Sequence, residues 1–325
     1  MPLPVQSLLM KSMFLMRFLL LWMVSLAALL ITLALFWLRW DAGSSRDDWF
    51  VMRQGEIKNV NTLQSTTVHE QSSESVQLTS DSGLRVSFRV IRAFEIDGQV
   101  PVLLILGGHR TGSDAVEMFG KVGGQAIVGM DYPYAGPDHA KGVIPIAKMI
   151  PLARQAILDT VPATSLVLDW LLEQSWVNKD EIVIIGGSLG VPVAASAAAR
   201  DPRIAGVMLV HGAADNRLWL EAQIARRVDA EFLHYPLATV VNWLAYGPLF
   251  DTSRHIAAIS PRPVVIVGAK HDERTPAGQT ELLFEAARDP KRLRWTEGQH
   301  IQPNRKDIID ELLQIANEEL PFLTQ

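Results

Sequence analysis

Ser188 lies in Gly186-Gly187-Ser188-Leu189-Gly190, directly after the apolar run Ile182-Val183-Ile184-Ile185 and directly before Val191-Pro192-Val193-Ala194-Ala195. The pattern predicts a buried strand, a tight turn and a helix, with glycines that let strand and helix approach closely. A serine on such a turn projects its hydroxyl off the end of a sheet. There it can serve as a nucleophile, provided a base takes its proton and an acid orients the base.

Two further segments offer those partners. Val264-Val265-Ile266-Val267-Gly268-Ala269-Lys270-His271-Asp272 puts Asp272 just past a second apolar run, and Trp295-Thr296-Glu297-Gly298-Gln299-His300 puts His300 in a glycine-containing turn. Asp215, after Val207 to Val210 and His211, is the rival acid. Glu273 is a substitute for Asp272, which stands four residues beyond Gly268. Acyl chemistry also needs backbone N–H donors for a developing oxyanion. Leu106-Gly107-Gly108-His109-Arg110-Thr111-Gly112 follows the run Val102 to Leu106 and could supply one from His109. The other would be the N–H of Leu189.

With these pieces in the order Ser188, Asp272, His300, the region from about Ser75 to Leu320 resembles the α/β-hydrolase superfamily. Within it, the chain is similar to the esterase and dienelactone-hydrolase/prolyl-oligopeptidase-like groups. Asp131-Tyr132-Pro133-Tyr134-Ala135-Gly136 resembles the loop that lines one side of the site in that family. The resemblance implies Ser188 as nucleophile, His300 as base, Asp272 as acid, and His109 with Leu189 as oxyanion donors. It implies cleavage of a carboxylic ester or related acyl bond of a small molecule through an acyl-enzyme, without a cofactor. The alternatives are a serine peptidase of exopeptidase type and a non-catalytic anchored binding protein on the same fold.

The elements that must position these residues can be read from periodicity. Val76 to Thr79 and Leu84 to Val90 alternate around the turn signal Asp81-Ser82-Gly83, as a hairpin with one wet face would. Buried-strand runs follow at Val102 to Leu106, Ala126 to Met130, Ile182 to Ile185, Val207 to Val210 and Val264 to Val267, with Arg292 to Trp295 as a last strand. Helical patterns separate them at Pro151 to Gln174, Val191 to Arg200, Ala277 to Ala287 and Lys306 to Glu319. This rhythm predicts an α/β fold, a doubly wound and mostly parallel sheet. Residues 213–260 interrupt it with two helical patterns, Leu218 to Val228 and Leu237 to Tyr246, and several aromatics. They are expected to form a cap insertion within a domain spanning 74–325.

Ahead of this domain, residues 1–17 form a basic tail and 39–73 a polar, Ser/Thr-rich stretch expected to be a linker, partly ordered where Trp49, Phe50 and Val51 can pack. Between them Phe18 to Leu38 runs for 21 residues without a charge, enough at about 1.5 Å per residue to cross a hydrocarbon core of about 30 Å. Trp37 and Trp40 stand where an aromatic belt would lie. A single-pass membrane anchor is expected, as against a cleaved signal peptide, with the catalytic domain on the extracytoplasmic side.

The first 40 residues hold three basic and no acidic side chains, so the remainder carries a net charge of −8. With no basic cluster, nucleic-acid binding is not expected. The chain has no cysteine, which excludes disulfides and thiolate chemistry. No residue spacing suggests a metal site.

Overall fold

A computed structural model describes residues 5–68, 70–107, 112–119, 122–137, 139, 142–302 and 305–324. Two helices come first, α1 (Val5–Gly43) and α2 (Asp47–Gln54), then three strands, β1 (Ile57–Val68), β2 (Gln71–Ser80) and β3 (Arg85–Ala93). The alternating part follows: β4 (Val100–Leu106), β5 (Ala126–Met130), α3 (Val143–Leu172), β6 (Val177–Gly187), α4 (Val191–Arg200) and β7 (Gly206–Val210). The insertion contributes α5 (Asn216–Ala225), α6 (His234–Leu244) and α7 (Thr252–Ala257). The chain then closes with β8 (Val264–Ala269), α8 (Gln279–Ala286), β9 (Lys291–Thr296) and α9 (Lys306–Leu323).

Among the described residues, nine strands form one sheet in the order β1-β2-β3-β5-β4-β6-β7-β8-β9. The β1, β2 and β3 pairings and the β3–β5 pairing are antiparallel, and all others are parallel. The parallel strands are buried on both faces, which is why they read as unbroken apolar runs. Successive residues feed opposite cores. Leu104, Ile184, Leu209 and Ile266 face the side covered by α3 and α4, while Leu103, Ile185, Met208 and Val265 face α9.

The stretch 39–73 is not a linker, which corrects the expectation for that part of the chain. It holds the last turn of α1, all of α2 and β1, and the start of β2. Helix α2 inserts Phe50 into the main core, and Arg53 grips the buried Asp159 carboxylate of α3 at 2.7 and 2.8 Å. Strand β1 gave no periodic signal because it is an edge strand whose side chains are almost all exposed. Without a buried face no apolar alternation is needed, and its threonines satisfy strand propensity alone. Helix α3 begins at Val143, eight residues before Pro151, so that proline sits inside the helix rather than at its start.

Helix α1 contains one stretch, Met13–Gly43, long and apolar enough to cross a membrane, and its most apolar window is wholly unburied by protein. Its end is docked. Ala42 is buried and its carbonyl accepts the N–H of Leu249, while Asp41 pairs with Arg46 and with Arg154 of α3. Arg154 also donates to the carbonyls of Trp243 and Leu244 and lies over the Tyr246 ring at 4.1 Å.

A chain beginning at residue 74 would lack Phe50 and β1 and would leave Asp159 buried without its arginine. It is expected to aggregate, or to lose at least about 3 kcal/mol of stability, relative to a chain beginning at Arg39. Urea titrations of the two chains followed by circular dichroism measure the difference; equal midpoints would make the N-terminal elements dispensable.

Candidate active site

The carboxyl ends of β6, β7, β8 and β9 lie side by side, and each delivers one part of the site. At the end of β6 the chain turns through Ser188-Leu189-Gly190 into α4. Ser188 takes φ +52, a left-handed conformation uncommon for a residue with a side chain. The turn is possible because the backbones nearly touch. A Cβ on Gly190 would stand 2.2 Å from the Leu106 carbonyl oxygen, and one on Gly186 2.6 Å from Cβ of Ala194.

His300 Nε2 lies 2.7 Å from Ser188 Oγ, and His300 Nδ1 lies 2.9 and 3.0 Å from the two Asp272 oxygens. An ionised carboxylate can only accept, so Nδ1 carries the proton and Nε2 is left to accept the serine hydroxyl. Burial pushes the Asp272 carboxyl up. The hydrogen bond and charge of His300, with the N–H groups of Thr275 and Arg274, outweigh it and hold the carboxyl below the ordinary range.

The competing acids are occupied elsewhere. Asp215 caps α5 by accepting the N–H of Leu218. Glu273 accepts the backbone N–H of His300 at 3.0 Å and the Gln302 amide, so it holds the histidine loop rather than the imidazole. Leu189 stands in the turn between Ser188 and α4 with a half-exposed side chain. His109 lies outside the described residues. On either side of that segment, Tyr132 Oη donates to the carbonyl of Gly107 at 2.7 Å, and Asp131 Oδ1 accepts the N–H of Ser113 at 2.6 Å. Those two residues also line a cleft of about 770 Å³ with Arg85, Asp114 and Tyr134.

His211 is the residue whose part in the site residue types alone did not reveal. Reaching Ser188 from β9 takes the histidine loop back across three strand spacings, roughly 14 Å. His211, at the end of β7 with φ +52, meets it on the way. Its Nδ1 accepts the N–H of Ile301 at 2.9 Å, which makes Nε2 the protonated nitrogen, donating to Thr296 Oγ1 at 3.1 Å. Its carbonyl accepts the hydroxyl of Thr275 on the acid loop. One residue therefore braces both loops. The only signal in the sequence was a histidine at the end of a strand on the same sheet edge as the serine.

His211, Asp272 and His300 offer ligand atoms within 4.8 Å of one another, as a metal cluster would. Both ring nitrogens of each histidine are committed to hydrogen bonds within the protein, so the group reads as a hydrogen-bonded network. In the insertion, α5 leans on the acid loop through Gln223 to the Arg274 carbonyl and Arg226 to the Glu273 carbonyl. Its aromatics divide. Tyr246 and Phe250 are buried toward α1 and Phe50, whereas Phe232 and Tyr235 face outward.

Residues 159–305 match the model of the prolyl oligopeptidase family. Among solved structures, acetyl xylan esterase from Paenibacillus sp. R4 superposes with a TM-score of 0.59, covering 84% of this chain and 95% of that one at 17% identity. The 2,6-dihydroxy-pseudo-oxynicotine hydrolase superposes with a TM-score of 0.55, covering 77% and 68% at 23% identity. The fold is that of the α/β-hydrolases. Two curated relatives, both the uncharacterized protein YfhR, match in part. The Salmonella typhimurium protein is 28% identical over 157 residues, 46% of this chain and 49% of that one. The Escherichia coli O157:H7 protein is 30% identical over 145 residues, 42% and 44% of the two chains. The chain thus spans about half the length of the curated relatives it matches.

Burial and the neighbouring His300 push His211 down to about 4, with Asp272 and Glu273 opposing. A histidine held neutral in the folded protein, and of pKa about 6.5 when unfolded, contributes fully above pH 6.5 and loses that contribution as pH falls toward 4. Stability is therefore expected to drop by ~1–3 kcal/mol between pH 7 and pH 4.5 in urea titrations. In His211→Gln the drop should shrink without vanishing, because burial also lowers His255. An unchanged drop would show that His211 does not set it.

Proposed function

We propose that the protein is a membrane-anchored serine hydrolase that cleaves a carboxylic ester or related acyl bond of a small molecule. The observation that carries this reading is the continuous hydrogen-bond chain from Ser188 Oγ through His300 to Asp272, at 2.7 and 2.9 Å. Ser188 Oγ would attack the acyl carbon while His300 Nε2 takes its proton. Asp272 would steady the imidazolium so formed, and the same proton would then pass to the leaving alkoxide. The acyl group would remain as an ester on Ser188 until water, activated by His300 in turn, releases it. Leu189 N–H, at the start of the turn into α4, and His109 N–H are the proposed donors to the oxyanion.

The likeness to acetyl xylan esterase from Paenibacillus sp. R4 supports this reading. A serine peptidase is the second reading, favoured by the match of residues 159–305 to the prolyl oligopeptidase family. The anchor would be the apolar part of α1, with the catalytic domain on the extracytoplasmic side.

A fluorophosphonate probe should label the wild-type protein and not Ser188→Ala; equal labelling of both would remove Ser188 as nucleophile. Asp272→Asn should keep its fold but lose roughly 10⁴-fold in turnover, since its base loses the partner that fixes its tautomer. Asp215→Asn should cost little. The reverse ranking would reassign the acid.

Short-to-medium p-nitrophenyl esters should be cleaved at least about a hundredfold better than amino-acid or dipeptide anilides, each rate normalised to its uncatalysed reaction. That ratio is worth about 2.7 kcal/mol of transition-state stabilisation. Efficient anilide turnover with weak ester turnover would make the protein a peptidase.

A further inference from the structure

Outside α1, seven of the fourteen exposed large apolar side chains among the described residues lie on two elements next to its docked end, and the others, Val51 and Met52 of α2 among them, are spread over the rest of the surface. Phe232, just before α6, is 80% exposed, and Leu237 and Val241, four residues apart, share one face of α6, while Tyr235 lies on another face beneath Arg217 of α5. Ile144 and Leu152 extend the apolar surface on the first turns of α3. Both elements are fixed to the end of α1. Helix α6 packs against it, and Arg154 ties Asp41 to α3 and to the last carbonyls of α6.

The burial pattern along α1 sets a level for this surface. From Met13 to Trp37 every residue is exposed; Leu38 is the first to be half-buried and Ala42 is fully buried. If residues 18–38 span the hydrocarbon, protein contact begins where the hydrocarbon ends, and α6 lies at that depth. Trp40, 64% exposed, stands at the same height, where tryptophans favour the headgroup region.

We propose that the outer face of α6, together with the first turns of α3, is seated in the headgroup region of the bilayer that α1 crosses. The proposal rests on the anchor reading and goes beyond it. The anchor is not a tether on a free domain, because the chain from α1 into α2 is short and pinned by Asp41, Arg46 and Arg154. The rigid connection fixes which face meets the lipid. An apolar helical face partly sunk at an interface is a stable arrangement where the same face in water is not. Because α6 packs on α5 and α5 on the acid loop, the lipid-facing surface and the catalytic constellation belong to one packed unit.

The absence of cysteine makes a direct test possible. Phe232→Cys, Val241→Cys, Leu29→Cys and Asp310→Cys in the full chain would each be labelled with an environment-sensitive fluorophore. Each would be reconstituted in phosphatidylcholine–phosphatidylglycerol vesicles with nitroxide lipids of shallow or deep position. Leu29 reports the span, and Asp310, exposed on α9 across the sheet, reports water. Labels at 232 and 241 are expected to be quenched by the shallow nitroxide at least threefold more than the label at 310. If 232 and 241 behave like 310 while 29 is quenched by the deep nitroxide, the anchor stands and the seated face is wrong. Blue-shifted but unquenched labels at 232 and 241 would mean that protein, such as a second copy, covers the face, and would overturn the lipid assignment. An unquenched label at 29 would remove the anchor and this proposal with it.

Discussion

The imidazole of His300 must meet a carboxylate at Nδ1 and a hydroxyl at Nε2 at the same time, and it does so fully buried. Those two contacts come from loops that leave different strands. Only a sheet that brings the carboxyl ends of β6, β8 and β9 to one edge can satisfy both, and a parallel arrangement with helical crossovers does this by construction. Much else in the domain serves that edge. The glycines at 186 and 190 let β6 and α4 pack closely enough for Ser188 to stand on the turn, and the double burial of the parallel strands keeps the edge rigid.

Position on the sheet is not sufficient, because β9 lies three strands away from β6. The loop carrying His300 is held by a set of neutral hydrogen bonds: Ile301 N–H to His211, His211 to Thr296, and Thr296 to the Gly268 carbonyl at 3.4 Å. Glu273 takes the backbone N–H of His300 itself. A buried histidine that must stay neutral to accept a backbone N–H is a conditional brace, and its condition is pH. The arrangement couples the alignment of the proposed base to the protonation of a residue that would not touch the substrate.

The N-terminal part of the chain adds a second constraint. Helix α1 ends in a set of charged and aromatic contacts among Asp41, Arg46, Arg154 and Tyr246, at the point where the insertion and α3 converge. A helix exposed from Met13 to Trp37 and so firmly held at its end fixes the α/β domain with respect to whatever surrounds the helix. The aromatics of the insertion reflect the same division. Tyr246 and Phe250 are spent on holding α1 and α2, whereas Phe232 and Tyr235 are exposed.

Strongly patterned elements were legible in the sequence. The apolar runs at 126–130, 182–185 and 264–267 are strands because burial on both faces leaves no room for polar residues. Gly186-Gly187-Ser188-Leu189-Gly190 reads as a tight turn because a side chain at 186 or 190 would collide with Ala194 or with the Leu106 carbonyl. The order of Ser188, Asp272 and His300 along the chain was equally visible. Three things were not. Strand β1 and helix α2 bury too little to leave a periodic trace, so their region read as a linker although Phe50 and Arg53 are integral to the core. The choice among Asp215, Asp272 and Glu273 depends on which carboxylate faces an imidazole nitrogen, and one residue of loop geometry separates 272 from 273. The role of His211 is a matter of contacts across 85 to 90 residues of chain, which no local pattern encodes. Residue types and spacing determined which groups could act and which segments must be buried. Which carboxylate, which brace and which surface beside α1 were decided only when the strands packed side by side, because hydrogen-bond partners are set by distance in space and not along the chain.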